Sequence, residues 1–194
     1  QLAVYRANNG TLVTETDLRY EPGRLTIDPE GRRAFVGNGG DGSISIVDLD
    51  GNQDSHLIDV ANAAEGAVAD PTTGRRFILN RLGGSEIYVW DDDGFRLFAS
   101  MPWPFELAID TSRRQLMAVS YFEANVRRWN IDTGAALPTI DLGIPPGTGD
   151  TLGDVSYDPD SGHLAVVLPQ AGWVSLADID QGRSLWTHQL EHMQ

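Results

Sequence analysis

Cysteine is missing from this chain of 194 residues, which removes disulfides, thiolate nucleophiles and Cys-ligated zinc or iron–sulfur centres from consideration. The compartment stays open on that ground, because many exported proteins also lack cysteine. Basic residues are scarce: 14 Lys and Arg stand against 28 Asp and Glu, for a formal charge of -14. Such a surface repels a phosphate backbone instead of releasing its counterions, so nucleic acid and anionic membranes are disfavoured partners. No uninterrupted apolar run approaches the roughly 18 to 20 residues that a spanning helix needs. An initiator Met is absent as well, and the chain opens at Gln1 inside a strand-like run. Export followed by processing, or excision from something longer, is the expectation, and an acidic, cysteine-free surface suits a periplasmic or extracellular setting.

What is present is repetition. An apolar run, an Asp, a turn, a basic residue and a second apolar run occur at Leu25–Val36, Ala67–Leu79, Leu107–Ala118 and Val155–Val166. Their aspartates, Asp28, Asp70, Asp110 and Asp158, recur about every 40 to 48 residues, the period of a propeller blade. After each copy comes an alternating strand, a short Asp/Asn-Gly turn and another strand, the chemistry of a β-hairpin. These hairpins lie around Asp50-Gly51, Asp93-Gly94, Thr133-Gly134 and Gln181-Gly182, and a fifth, around Asn9-Gly10, stands alone at the front.

The fold expected is therefore all-β: a propeller segment with a leading half-blade over 1–20 and four four-stranded blades over about 24–62, 66–102, 106–142 and 153–194. With strands lettered a to d from the inside outwards, the chain reads c-d and then four times a-b-c-d. Four and a half blades do not close a ring, whereas closed propellers usually have four to eight blades. The missing strands are expected on another chain or on a segment outside this one, within a larger propeller of about seven blades. Leu142 to Gly153, rich in Pro and Gly, accounts for the longest period as a loop insertion.

The Asp-Pro-x-x-Gly-Arg turn, followed some ten residues later by strands such as Ile87-Tyr88-Val89-Trp90-Asp91 and a Gly turn, resembles the YVTN-type β-propeller repeat. Ala34-Phe35-Val36-Gly37-Asn38 loosely echoes the tetrapeptide that names it. The resemblance spans essentially the whole chain and implies the fold. Its members include surface-layer-like proteins, propeller lactonases and heavy subunits of quinoprotein amine dehydrogenases, so it implies no single activity.

Candidate sites divide into loops and repeat features. Asp48-x-Asp50-Gly51-Asn52-x-Asp54 and Asp91-Asp92-Asp93-Gly94 have the oxygens that calcium requires, yet the pattern recurs in all the hairpins, where Asn and Asp cap their own turns and Gly supplies positive φ. No cofactor is expected. The four repeat aspartates read as turn caps, and Arg32-Arg33, Arg75-Arg76 and Arg113-Arg114 as solvated or turn-bridging residues. His188-x-x-x-His192 falls in the last strand or tail and is not favoured as a metal pair. Trp90, Trp129 and Tyr5 share one strand position, which predicts packing between blades.

Function is expected in the unrepeated d-to-a and b-to-c loops that gather on one face of a propeller. Within them Asn38, Arg81, Trp103, Phe105, Glu106, Tyr121, Phe122 and Glu123 combine aromatic anchors with polar handles. The leading expectation is a non-catalytic module for protein interaction or complex assembly. The alternatives are part of a quinoprotein-dehydrogenase or lactonase-like enzyme, and a carbohydrate or cell-surface binder using Trp103, Tyr121 and Phe122.

Overall fold

A computed structural model describes residues 1–28, 32–51, 56–59, 64–80, 86–91, 93–120, 123–145, 154–168 and 172–190. Among them every regular element is a strand, and no helix is long and apolar enough to cross a membrane. The leading hairpin is β1 (Leu2–Tyr5) with β2 (Leu12–Thr16). Four antiparallel sheets follow, each in chain order: β3 (Pro22–Asp28), β4 (Arg33–Asn38), β5 (Ser43–Asp48) and β6 (His56–Asp59); β7 (Ala64–Ala69), β8 (Arg76–Asn80), β9 (Glu86–Asp91) and β10 (Gly94–Ser100); β11 (Pro104–Asp110), β12 (Gln115–Ser120), β13 (Asn125–Asn130) and β14 (Ala136–Asp141); β15 (Asp154–Asp158), β16 (His163–Leu168), β17 (Trp173–Asp178) and β18 (Arg183–Gln189). The expected c-d half-blade and four a-b-c-d blades are thus present. Inner strands start slightly earlier than the repeat suggests in the first three blades. Pro22 and Pro104 take first strand positions, where a missing N–H costs no ladder bond, and a register shift follows each. Phe105 and Glu106, expected in a loop, therefore belong to β11, and Asn38 closes β4.

By internal contacts the chain divides into two compact units, Gln1–Phe98 and Ala99–Gln194. In the first, β7 packs on β3 and β4, and the core joins Phe35, Ile44 and Ile46 of one blade to Ala67 and Ile78 of the next. Trp90 packs against this core, as its strand position predicts, and the Arg76 guanidinium lies 4.7 Å from the Trp90 ring centre. In the second unit Phe105, Met117, Val119, Val126 and Ile140 of one blade meet Leu164, Val166, Leu168 and Ala177 of its neighbour. Within each unit, the trailing face of one blade thus covers the leading face of the next.

The turns show why the repeat has its sequence. Asp70 accepts from the Thr72 N–H (3.1 Å) and the Thr73 hydroxyl (2.6 Å), and Asp158 does the same with Asp160 N–H and the Ser161 hydroxyl. Asp28's side chain lies outside what the structure describes. Four residues after these aspartates the backbone turns left-handed in every blade: Arg32 at φ 51°, Gly74 at 71°, Arg114 at 54° and Gly162 at 70°. Two blades thus place an arginine where glycine is free of steric cost. Arg32→Gly is expected to raise unfolding free energy by about 0.5–1 kcal/mol in urea titrations, since the exposed Arg32–Asp50 pair it removes is worth little.

Candidate functional site

The loop face in the first unit is built around Asn38. Its side chain is fully buried, and Nδ2 donates to the hydroxyls of Ser43 (3.0 Å) and Ser45 (2.9 Å), while Oδ1 has no hydrogen-bond partner. Neighbouring loops are laced by backbone bonds, Gly39 N–H to Glu21 carbonyl at 3.0 Å and Gly40 N–H to Tyr20 carbonyl at 3.3 Å. Gly40 has to be glycine here, because a Cβ would stand 2.2 Å from Cδ1 of the Tyr20 ring. Asn80 and Ser120 occupy the same ladder position as Asn38, opposite the first residue of the inner strand, and both are buried. Asn80, Ser120, Ser43 and Ser45 carry no motif of their own; the polar residue closing strand b in three blades is the signal in the sequence. Asn38→Ala is expected to cost about 1–2 kcal/mol in urea unfolding, from two lost buried hydrogen bonds.

In the second unit, Trp103 is 51% exposed with φ 46°. Glu21 has the same backbone form (φ 51°) directly before β3, so this turn belongs to the repeat and is not peculiar to Trp103. Behind it the Ser120 hydroxyl donates to the Pro102 carbonyl at 2.8 Å. Phe105 faces inward at 7% exposure as a member of the blade–blade core, which takes it out of any exposed binding set. Glu106 is half-buried on β11, and Glu123 accepts a two-pronged bond from Arg127 at 2.8 and 2.7 Å. Arg81, Tyr121 and Phe122 lie outside the described residues, as do Asn52, Asp54, Asp92 and His192. The structure thus places Trp103, Phe105, Glu106 and Glu123 in one unit and Asn38 in the other.

The carboxylates weighed for calcium are engaged locally. Asp48 accepts the Asp50 N–H at 2.8 Å, and Asp50 pairs with Arg32 at 2.5 Å. Asp91 accepts both guanidinium prongs of Arg96 at 2.7 Å and lies 3.4 Å from Arg75. The Arg96 hydrogen bonds hold the Asp91 carboxyl below the usual range. Among the described residues no cluster of three or more His, Asp or Glu side chains could hold a metal ion.

The most heavily bonded carboxylate is Asp110, fully buried between two blades. It accepts from the Ser112 hydroxyl (2.7 Å), Arg113 N–H (2.9 Å), the Arg113 guanidinium (2.9 Å) and the Tyr157 hydroxyl of the next blade. Arg113 reaches on to Asp180 at 2.5 and 2.6 Å. Burial pushes the Asp110 carboxyl up, but these donors outweigh it and leave it below the usual range. Burial and the bond to Asp110 push the Tyr157 hydroxyl up, so it stays a donor. This arrangement clamps neighbouring blades.

Among the described residues, parts of two blade faces stand uncovered. On the leading face of the first blade Leu25 and Ile27 are 45% and 53% exposed, whereas Ala67 and Leu107, which share Leu25's register position, are 3% and 7% exposed. On the trailing face of the last blade Ala165, Val167 and Val174 are only half-buried, although their counterparts Met117, Val119 and Val126 are at most 1% exposed. Beside them Trp186, 48% exposed, borders a groove of about 530 Å³ with His188 and Leu190.

No protein-family model matches the chain, and no curated protein matches it. Solved structures do. Hydrazine synthase of Kuenenia stuttgartiensis is 18% identical with a TM-score of 0.75, over 92% of this chain and 51% of that one. A chain of the nidogen/laminin complex is 20% identical with a TM-score of 0.74, over 95% and 70%. KlHsv2 with loop 6CD replaced by a Gly-Ser linker is 14% identical with a TM-score of 0.69, over 98% and 61%. At these identities the likeness shows the fold alone, a β-propeller arrangement. This chain spans about half the length of the hydrazine synthase chain that it matches.

Proposed function

We propose that this chain is a non-catalytic module for protein interaction or complex assembly, forming part of a larger propeller of about seven blades in an exported, periplasmic or extracellular protein. The observation that carries the reading is the exposure of Leu25 at a register position that is buried in the next two blades, with Ile27 exposed beside it. Covering apolar side chains is the main favourable term in association, and a face built like an internal blade interface is suited to another blade. Acidic, cysteine-free composition supports the exported setting. Native mass spectrometry of the material as isolated tests the reading. A complex containing a further propeller segment is the expected result, and a lone, stable species of 21.2 kDa would overturn it.

Carbohydrate or cell-surface binding is a second reading, favoured by the exposed Trp103 on the loop face. An aromatic ring standing in solvent offers a flat apolar surface for a sugar ring. A glycan-array signal abolished by Trp103→Ala would support it, and an unchanged signal would exclude Trp103 from it.

A further inference from the structure

The turn between β1 and β2 carries a motif that the repeat does not require. Asn9-Gly10-Thr11 is an Asn-x-Ser/Thr triplet with x other than proline, and no other asparagine of the chain begins one. That pattern is the acceptor sequence for N-linked glycosylation, and it also arises by chance, so the structural setting decides its worth.

Turn chemistry accounts for part of the triplet. The Gly10 N–H, at φ 68°, donates to the Arg6 carbonyl at 2.8 Å, and the Arg6 N–H donates to the Thr11 carbonyl at 2.8 Å. The turn between β13 and β14 repeats both bonds, from Gly134 (φ 72°) to Asn130 and from Asn130 to Ala135, and Gly182 (φ 65°) holds the same place between β17 and β18. Asn9 Oδ1 accepts the Thr11 N–H at 3.0 Å, just as the Thr133 hydroxyl accepts the Ala135 N–H at 3.2 Å. Glycine is therefore needed for the left-handed backbone, and an acceptor before it is useful. Asparagine at the first place and a hydroxyl at the third are not needed. Thr133 and Gln181 stand in the place of Asn9, and Ala135 and Arg183 in the place of Thr11.

The setting also leaves the triplet accessible. Asn9, Gly10 and Thr11 are all exposed. That exposure does not depend on what flanks the hairpin, because Thr133, Ala135, Gln181 and Arg183 are exposed within complete blades. Oδ1 carries the turn bond, while Asn9 Nδ2 and the Thr11 hydroxyl make no hydrogen bond among the described residues. A Cβ added to Gly10 would meet no heavy atom within 4 Å, so the space beside the turn is open to an enzyme and to a sugar chain.

We infer that Asn9 is an acceptor for N-linked glycosylation, with the Thr11 hydroxyl as the group that an oligosaccharyltransferase reads. The donor is an oligosaccharide carried on a polyprenyl pyrophosphate. Asn9 Nδ2 bonds to the anomeric carbon of the first sugar as that carbon's bond to the pyrophosphate oxygen breaks. The oxygen leaves with the electron pair, and Nδ2 gives one proton to a base of the transferase. The inference rests on the exported setting proposed above, since this modification belongs to chains that leave the cytosol. A glycan here is bulky and solubilising, and it keeps this end of the hairpin in water.

Trypsin cleaves after Arg6 and Arg19, so residues 7–19 carry the site on one peptide. Mass analysis of that peptide, from the chain as isolated from its source cells and with or without a peptide N-glycosidase in oxygen-18 water, tests the inference. The expected result is a glycopeptide that the enzyme strips, leaving heavy oxygen at the former amide of Asn9; the isotope separates this from spontaneous deamidation. Thr11→Ala takes the residue that Ala135 already provides in the same turn, so it is expected to abolish the glycan and leave the urea midpoint unchanged. Thr11→Ser is expected to keep the glycan. A glycan that survives Thr11→Ala overturns the role given to Thr11. An unmodified Asn9 in chain recovered outside the cytosol overturns the inference and leaves the exported setting standing, whereas an unmodified Asn9 in chain confined to the cytosol overturns both. The assembly reading is judged separately, by the mass of the intact complex.

Discussion

Asp110→Ala is expected to lower the unfolding free energy by about 3–5 kcal/mol, the range for removing one partner from a buried, hydrogen-bonded charge pair. The cost has two parts. The Arg113 N–H and guanidinium, the Ser112 hydroxyl and the Tyr157 hydroxyl all lose their shared acceptor. Tyr157 also loses its bond through Asp110 to β11's turn, which leaves Arg113, with Asp180, the Tyr157 hydroxyl and the Pro159 carbonyl, as the remaining link to the neighbouring blade. Tyr157→Phe removes one of these donors and is expected to cost about 2 kcal/mol, by the worth of a hydrogen bond to a charged group. Urea unfolding followed by tryptophan fluorescence measures both. The pH dependence follows from the sign of the shift. The folded-state pKa of Asp110 lies below that of an unfolded carboxyl near 4, so its contribution is fully present above about pH 4. It is lost as pH falls through the lower folded-state value. Asp110→Ala should therefore flatten the acid limb of the stability profile below pH 4, and an acid limb parallel to that of the parent chain would show that Asp110 is not held as a carboxylate by the clamp.

Why the sequence made the blades legible is visible in the same turn. Asp, a hydroxyl or backbone donor and a left-handed residue are needed wherever strand a turns tightly into strand b, so the solution recurs and the eye can find it. The left-handed position itself was harder to see, because Arg32 and Arg114 hold it in two blades with no glycine to mark it. Pro104–Glu106 reads as loop because proline usually signals one, although a first strand position tolerates it. Phe105 reads as a loop residue for the same reason, whereas β11 begins at Pro104 and the register shift between Pro104 and Glu106 leaves Phe105 in the core.

The site was less legible than the scaffold. Nothing in the composition of Asn38 separates a channel-facing handle from a buried amide that secures its own strand end, and the structure shows the second role, with both Nδ2 bonds spent on Ser43 and Ser45. Trp103 does stand exposed, as a loop aromatic would be expected to. The uncovered blade faces depended on contact between elements far apart in sequence. Leu25 and Ile27 match the repeat too well to be noticed in one dimension. The exposure of Leu25 becomes informative only beside the burial of Ala67 and Leu107.

That contrast gives the largest effect expected on assembly. In Leu25→Lys/Ile27→Lys the complex is expected to weaken by at least a hundredfold, because two ammonium groups would have to be desolvated or displaced where apolar contact formed. The isolated chain should change by no more than about 1 kcal/mol, since both side chains are already about half in water and neither belongs to a buried cluster. Native mass spectrometry gives the first quantity and urea unfolding the second. The split between them is what matters. If the complex were lost together with chain stability, Leu25 and Ile27 would be core residues of this unit and the face would need no partner. If the complex persisted unchanged, association would run through another surface, and the uncovered trailing face around Val167, Val174 and Trp186 would be the next place to substitute. Loss of the complex with the chain intact is the pattern that a blade interface awaiting its neighbour requires, because the free energy of the contact is then realised between polypeptides and not within one.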